Sequence, residues 1–160
     1  VNHPQVLHLL FVPFWRTGGG GALPPLGNGP LVNLDFFSGN ILHPNTLGRR
    51  ESDPFDTILC LSVVKWIHLN WGDAGLMSFF TTVYDWLALG GRFILETQNW
   101  ASYRKRKRMS QHMAINYADI QIRPADFPAV LVATVGFKNV RVLRTGASNG
   151  FDRTILMCEK

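Results

Sequence analysis

The chain has 160 residues, 46% hydrophobic and 17% charged, a composition that suits one folded domain with its own core and excludes a disordered tail. No apolar run reaches the roughly 18 residues that a membrane-spanning helix needs. Val1 to Val12 has neither the basic start nor the small-residue cleavage site of a secretory signal, so a secreted protein is not expected. The formal charge of +5 favours an anionic partner. Cys60 and Cys158 both fall inside predicted strands and are expected as buried free thiols, not as a disulfide or a metal pair.

In chain order, residues 1–30 form an apolar segment followed by a linker or surface insertion. Val6 to Phe14 is apolar and closes at Pro13; Arg16 to Pro30 holds Gly18 to Gly21, Pro24, Pro25 and Pro30. A glycine run invites a phosphate-loop reading, but that loop needs a strand before it and a helix opening on it. Ala22-Leu23-Pro24-Pro25 cannot start such a helix. Residues 31–160 carry the domain. Leu31 to Phe37 is a strand candidate ending at Ser38-Gly39-Asn40, where Gly39 permits close backbone approach to a ligand and Asn40 offers an amide; a simple turn is the alternative. His43 to Pro54 is a polar loop or short helix.

Thr57 to Val64 is nearly continuous apolar sequence, as in a strand covered on both faces. It runs into Lys65, Trp66, His68, Asn70, Trp71, Gly72 and Asp73. Ligands of open α/β sheets bind past the carboxyl ends of the strands, so this strand is expected to deliver a site. Leu76, Phe79, Phe80, Val83, Tyr84 and Leu87 recur at helical spacing, which predicts an amphipathic helix over Ala74 to Leu87 with Asp73 as N-cap and the Gly90-Gly91 pair as its stop. Arg92 to Glu96 is the next strand, again loaded at its end, by Gln98 and Trp100. Ala101 to Asn116 is predicted as a basic helix, Tyr117 to Ile122 as extended. Arg123 begins a helix that runs to Val135 and stops at Gly136. Val140 to Leu143 and Thr154 to Cys158 close the domain as an antiparallel pair joined by Thr145 to Asp152. The alternation of strand and helix means an α/β fold with a mostly parallel sheet.

Arg104, Lys105, Arg106, Lys107 and Arg108 are consecutive and follow Trp100 and Tyr103. They suit contact with a nucleic-acid backbone beside stacking aromatics, or a solvated face, or a nuclear-import signal. Trp66 and Trp71 suit core packing as well as stacking. His68 suits a hydrogen-bonded structural histidine more than an acid or base. Glu96 suits a cap on the sheet edge or a holder for a basic neighbour.

Leu61 to Asp73 resembles the signature of the methylphosphate capping enzymes, RNA methyltransferases of the bicoid-interacting-protein type. Gly90-Gly91-Arg92-Phe93-Ile94-Leu95-Glu96 with Gln98 and Trp100, then Ser102-Tyr103 and the basic run, is similar to the family's next block, and Asn149 to Arg153 to its C-terminal loop. The likeness runs from about Val32 to Lys160. It implies a class I, Rossmann-like methyltransferase sheet, S-adenosyl-L-methionine as donor, and the 5′ phosphate of a small RNA such as 7SK RNA as acceptor, in the nucleus. By match of motif, Gly39, Asn40 and Leu61 border the cofactor. Lys65, His68 and Asn70 position the acceptor. Lys65, Trp66, Trp71, Trp100, Tyr103, Arg104, Lys105, Lys107 and Arg153 border the RNA. No metal is implied, and no general base is needed, because a phosphate is already an anionic nucleophile at neutral pH. The sequence departs from the family in showing neither the Gly-rich cofactor loop nor the acidic residue of the first strands, and in carrying Thr97 and Asn99 where the family has prolines. The alternative function is a catalytically inactive RNA-binding subunit of a ribonucleoprotein that keeps the same fold.

Overall fold

The computed structural model describes residues 41–42, 54–144 and 153–160. The glycine run, the Leu31 to Phe37 strand candidate, Gly39 and Asn40, and the loop before Arg153 lie outside the described residues. The elements in order are β1 (Phe55–Cys60), α1 (Val64–Trp86), β2 (Leu87–Thr97), α2 (Trp100–Arg106), a 3-10 turn (Lys107–Met109), α3 (Gln111–Asp119), α4 (Phe127–Val130), β3 (Asn139–Arg144) and β4 (Thr154–Glu159). A 3-10 turn over Pro124–Asp126 leads into α4, and a π turn over Leu131–Val135 extends it to Gly136, whose φ of 102° ends the helix as expected. The described strands form one four-stranded sheet in the order β1-β2-β4-β3. β1 and β2 are parallel, while β4 is antiparallel to both of its neighbours, β2 and β3. Thus β1, β2 and β3 point one way and β4 runs against them, the mostly parallel sheet with an antiparallel C-terminal strand that the sequence predicts.

Three boundaries differ from expectation, each for a local reason. The strand stops at Cys60, and Lys65 to Trp71 form the first turns of α1, not a turn hanging from a strand end. Val64, Ile67, His68 and Trp71 fall at i, i+3, i+4 and i+7, so the stretch has a helical stripe of its own. Gly72 then interrupts α1 with φ 62° and ψ −163°, and the helix resumes at Asp73. Second, Gly90 does not stop α1. The helix ends at Trp86; Leu87 is already extended and pairs with Phe55, and Thr57 then pairs with Arg92. Leu87 to Gly91 therefore bulges from the ladder, with Gly90 at φ 76°. The bulge is held by Gly90 N–H donating to Lys160 O and Lys160 N–H donating to Gly91 O, both at 3.0 Å. Third, the basic helix is two helices. Ser110 breaks it at ψ 157° and caps α3, its hydroxyl accepting from Met113 N–H at 3.1 Å. The second helix continues through Tyr117 to Asp119, where extended chain was expected, because Met113 and Tyr117 share its inner face.

The main core joins Ile58, Cys60, Phe93, Leu95 and Leu156 of the sheet to Leu76, Phe79, Phe80 and Val83 of α1 and to Phe127 and Leu131. Cys60 and Cys158 are free thiols inside it, and burial pushes each up to about 12. A smaller cluster of Leu69, Tyr103, Met113 and Ile120 packs the start of α1 against α2 and α3.

Between these clusters lies His68, without exposed surface. Its Nε2 lies 2.7 Å from Asp73 Oδ1 and its Nδ1 3.4 Å from the Tyr103 hydroxyl. A carboxylate accepts only, so the ring proton sits on Nε2 and Nδ1 accepts from Tyr103. Asp73, expected as a cap, also accepts from the backbone N–H of Gln121 at 2.8 Å and of Ile122 at 3.3 Å. Burial lowers the His68 pKa, and the Asp73 contact only partly offsets it.

Two outcomes are expected. A Cβ on Gly75 would lie 2.1 Å from the Trp71 Cβ, so Gly75→Ala should cost about 1–3 kcal/mol, read as a lowered urea midpoint. An unchanged midpoint would show that Trp71 can move freely. His68 has a folded pKa below its unfolded value of about 6.5, so only the unfolded chain takes up this proton as pH first falls below that value. Stability should therefore drop between about pH 6.5 and 5 by up to about 1.4 kcal/mol per pH unit from this group. Urea titrations across that range should give a steeper loss for the wild type than for His68→Gln; equal slopes would refute the assignment.

Candidate functional site

At the carboxyl ends of β1 and β2 the chain gathers cations around very few acids. Ser62, just past β1, holds φ 63°, an unusual value for a residue with a side chain that costs on the order of 1–3 kcal/mol. Side-chain bonds hold it there: Ser62 Oγ donates to Glu96 Oε2 at 2.8 Å and accepts from Arg153 Nη1. Arg153 also pairs with Glu96 Oε1 at 2.7 Å. Glu96 thus holds a basic neighbour and fixes the guanidinium at the mouth of the sheet.

Lys65 stands in the first turn of α1 and is only 7% exposed. Its ammonium donates to Ser102 Oγ at 2.9 Å and lies 4.8 Å from the centre of the Trp66 ring. Burial lowers its pKa, and the positive charges of Arg106 and Arg153 lower it further. Among the described residues no carboxylate pairs with it. A mostly buried ammonium with a neutral partner and cationic neighbours is electrostatically incomplete, and an anion would complete it.

The Asn99 side chain caps α2, accepting from Ser102 N–H at 2.9 Å. With Tyr103 turned inward, Ser102 and Arg106, one helical turn apart, face Lys65, while Arg104, Lys105 and Arg108 are exposed. Lys107 lies 4.3 Å over the Tyr117 ring. Trp100 is half-buried and stacks on Tyr117 with centroids 4.5 Å apart and planes at 13°, with the Arg123 guanidinium 5.3 Å away.

The predicted site residues therefore separate. Lys65, Trp66, Trp100 and Arg153 come together at the sheet edge, with Arg104 and Lys105 on the adjoining surface. Tyr103 is fully buried, edge-on to His68 at 5.6 Å, and offers no face for stacking; burial also holds its phenol protonated far above the usual range. His68 is likewise inside, with both nitrogens engaged. Asn70 spends its amide on Trp66 O at 2.8 Å, and its own carbonyl accepts from His112 Nε2 at 2.6 Å. Trp71 packs against the main core. Leu61 is 50% exposed at the end of β1. Ser62 was not expected in the site; Ser102 and Arg106 were expected only as part of the stretch bordering the RNA, not as neighbours of Lys65. Helical spacing from Tyr103 could have found Ser102 and Arg106, whereas nothing in the sequence marks the backbone of Ser62. Among the described residues no cluster of His, Cys, Asp or Glu could hold a metal ion, and no helix is long and apolar enough to cross a membrane.

The chain is similar to several known proteins. The chain is 46% identical over 113 residues to a probable RNA methyltransferase of Arabidopsis thaliana, covering 69% of this chain and 36% of that one. It is 39% identical over 132 residues to the human 7SK snRNA methylphosphate capping enzyme, covering 80% and 19%. It is 41% identical over 115 residues to the U6 snRNA methylphosphate capping enzyme Amus of Drosophila melanogaster, covering 71% and 38%. The chain thus spans well under half the length of each of these relatives. The model of the Bicoid-interacting protein 3 (Bin3) family matches residues 55–160, from the first residue of β1 through the whole described sheet, and the chain belongs to that family.

Proposed function

We propose that this chain carries the acceptor-holding side of an S-adenosylmethionine-dependent methyltransferase that modifies the 5′ phosphate of a small RNA. The observation that carries the proposal is Lys65, a residue only 7% exposed, beside the positive charges of Arg106 and Arg153 and with no carboxylate partner among the described residues. Relatives named for methylphosphate capping of 7SK and U6 snRNA support the reaction class.

The residues suit that chemistry. A terminal phosphate has its second pKa near 6, so at neutral pH its oxygen is a nucleophile with no proton to lose. His68, walled in by Asp73 and Tyr103, is not needed as a base. The work left to the protein is positioning. Lys65 is a point charge held by Ser102; Arg153 offers a planar fork held by Glu96. Together they take the phosphate oxygens that do not react. The arriving anion would raise the Lys65 pKa again and strengthen the contact. Arg104, Lys105 and Arg108 meet the following backbone phosphates, and the same basic run suits nuclear import. S-adenosylmethionine supplies an electrophilic methyl group when bound. Of the residues expected beside it, Leu61 fits, being an apolar side chain half exposed at the end of a core strand.

The deciding experiment is transfer of a labelled methyl group to a 5′-triphosphate RNA, beside the same RNA stripped of its phosphates. Label that needs the phosphate supports the proposal. Phosphate-dependent binding with no transfer would put an RNA-holding subunit in its place. Lys65→Met should lower the transfer rate about tenfold to hundredfold, the worth of one hydrogen bond to a charged group, with Lys65→Arg less affected. Equal rates for Lys65→Met and wild type would remove Lys65 from the site. Arg104→Ala with Lys105→Ala should flatten the slope of log affinity against log salt by about 1.4, at about 0.7 per single-strand phosphate contact. An unchanged slope would place the RNA elsewhere.

A further inference from the structure

Past the end of β2, a cavity of about 390 Å³ opens between the start of α2, the Arg123 to Pro128 turn and the β3–β4 pair. That volume lies within the range of small-ligand pockets. Its walls include Trp100, Pro124, Pro128, Val142 and Leu156, so they are largely apolar. Its nearby polar groups are mostly satisfied. Thr97 Oγ1 donates to Thr154 O at 3.2 Å, and Asn99 Oδ1, the cap of α2, accepts from Ser102 N–H. The exception is Gln98. It is 5% exposed and lines the cavity, and its Oε1 is buried with no hydrogen-bond partner among the described residues. Buried side-chain oxygens are normally paired, and an unpaired one in a cavity wall marks a missing donor.

We infer that this cavity is a nucleobase pocket of the RNA end, in which Gln98 Oε1 accepts from a base N–H. The inference rests on the proposed RNA-end function and adds to it a source of sequence preference. Arg123 also lines the cavity, its guanidinium 5.3 Å from the Trp100 ring, so charge alone does not select the ligand; the unpartnered acceptor calls for an N–H donor, which a phosphate lacks. A base supplies what the pocket lacks: a flat apolar body for Trp100 and the prolines, and N–H donors on its pairing edge. The position also fits. Gln98 lies in the extended segment just before α2, the helix whose Ser102 holds Lys65, so the cavity and the phosphate-holding cation flank the start of one helix.

The test uses the whole chain and 5′-triphosphate RNAs that differ only in the first or second nucleotide, with affinities read by fluorescence anisotropy. The wild type should prefer some bases over others at one of these positions by about fivefold or more. Gln98→Leu should flatten that preference below about twofold and keep the preference for triphosphate over hydroxyl ends. Its thermal midpoint should not fall, since the oxygen has no partner to lose; a purely structural Gln98 would lower it. Val142→Trp, which fills the cavity from β3, should flatten the preference in the same way. S-adenosylhomocysteine affinity, measured in parallel, should not change; a loss in Gln98→Leu would assign the pocket to the donor's adenine and overturn the inference. A wild type without base preference, or a preference that survives both substitutions, would also overturn it. Base preference without phosphate preference would sink the 5′-phosphate function and leave the pocket standing.

Discussion

The Asp73 carboxylate is the constraint on which the site's geometry depends. It follows Gly72, where the helix that began at Val64 loses its regular backbone. The segment before the break carries Lys65 and Trp66; the segment after it is anchored in the core by Leu76, Phe79 and Phe80. Asp73 spans the break by gripping His68 on one side, and it grips the backbone of Gln121 and Ile122 on the other. Through His68 the grip passes to Tyr103 and so to α2, where Ser102 meets Lys65. A buried polar network is costly when partly satisfied and rigid when complete. Every member of this one has a partner, so the cation at the sheet edge is set by the protein's interior.

The cluster at the edge is built for orientation more than for stability. The Arg153–Glu96 pair is partly solvated, and such pairs add little net energy. What it does is fix the direction of a guanidinium whose neighbours are also positive. Glu96 is engaged by Arg153 and Ser62, which leaves Lys65 without a carboxylate among the described residues. The strained Ser62 backbone belongs to the same device, since only that turn brings its hydroxyl to both Glu96 and Arg153.

The sheet was readable because burial writes itself into sequence. Ile58 and Cys60, Phe93 and Leu95, and Leu156 and Cys158 alternate onto one buried face, with largely apolar neighbours between them, and the absence of a crossover helix between the last strands required them to run antiparallel. The errors fell where two patterns overlap. Val64 to Trp71 is apolar enough to prolong a strand, yet its stripe is helical, and the polar residues that look like a ligand-binding turn include His68, which faces inward to meet the Tyr103 hydroxyl of α2. Gly90 has the look of a helix stop, but its positive φ serves a bulge held by a strand far away in sequence. The cationic site was half legible. Charge and aromatics pointed to α2, but the partners that give Lys65 its environment, Ser102 and Arg106, needed a helical phase that was read one residue type at a time. Gln98 stood out only as a polar residue at a strand end, because a missing hydrogen bond is a property of the fold.

β4 lies between β2 and β3 although it follows both in the sequence. During synthesis β3 therefore has no place in the sheet until β4 has emerged, and the exposed pairing edge of β2 stays open for that interval. The contacts that close it are long in sequence, Thr97 with Thr154 and Arg92 with Glu159, so their loop entropy must be met late and all at once. The Glu96–Arg153 pair forms in that same event. The anion site is thus assembled only when β4 docks, and a chain caught before that would display an unpaired strand without displaying a competent site.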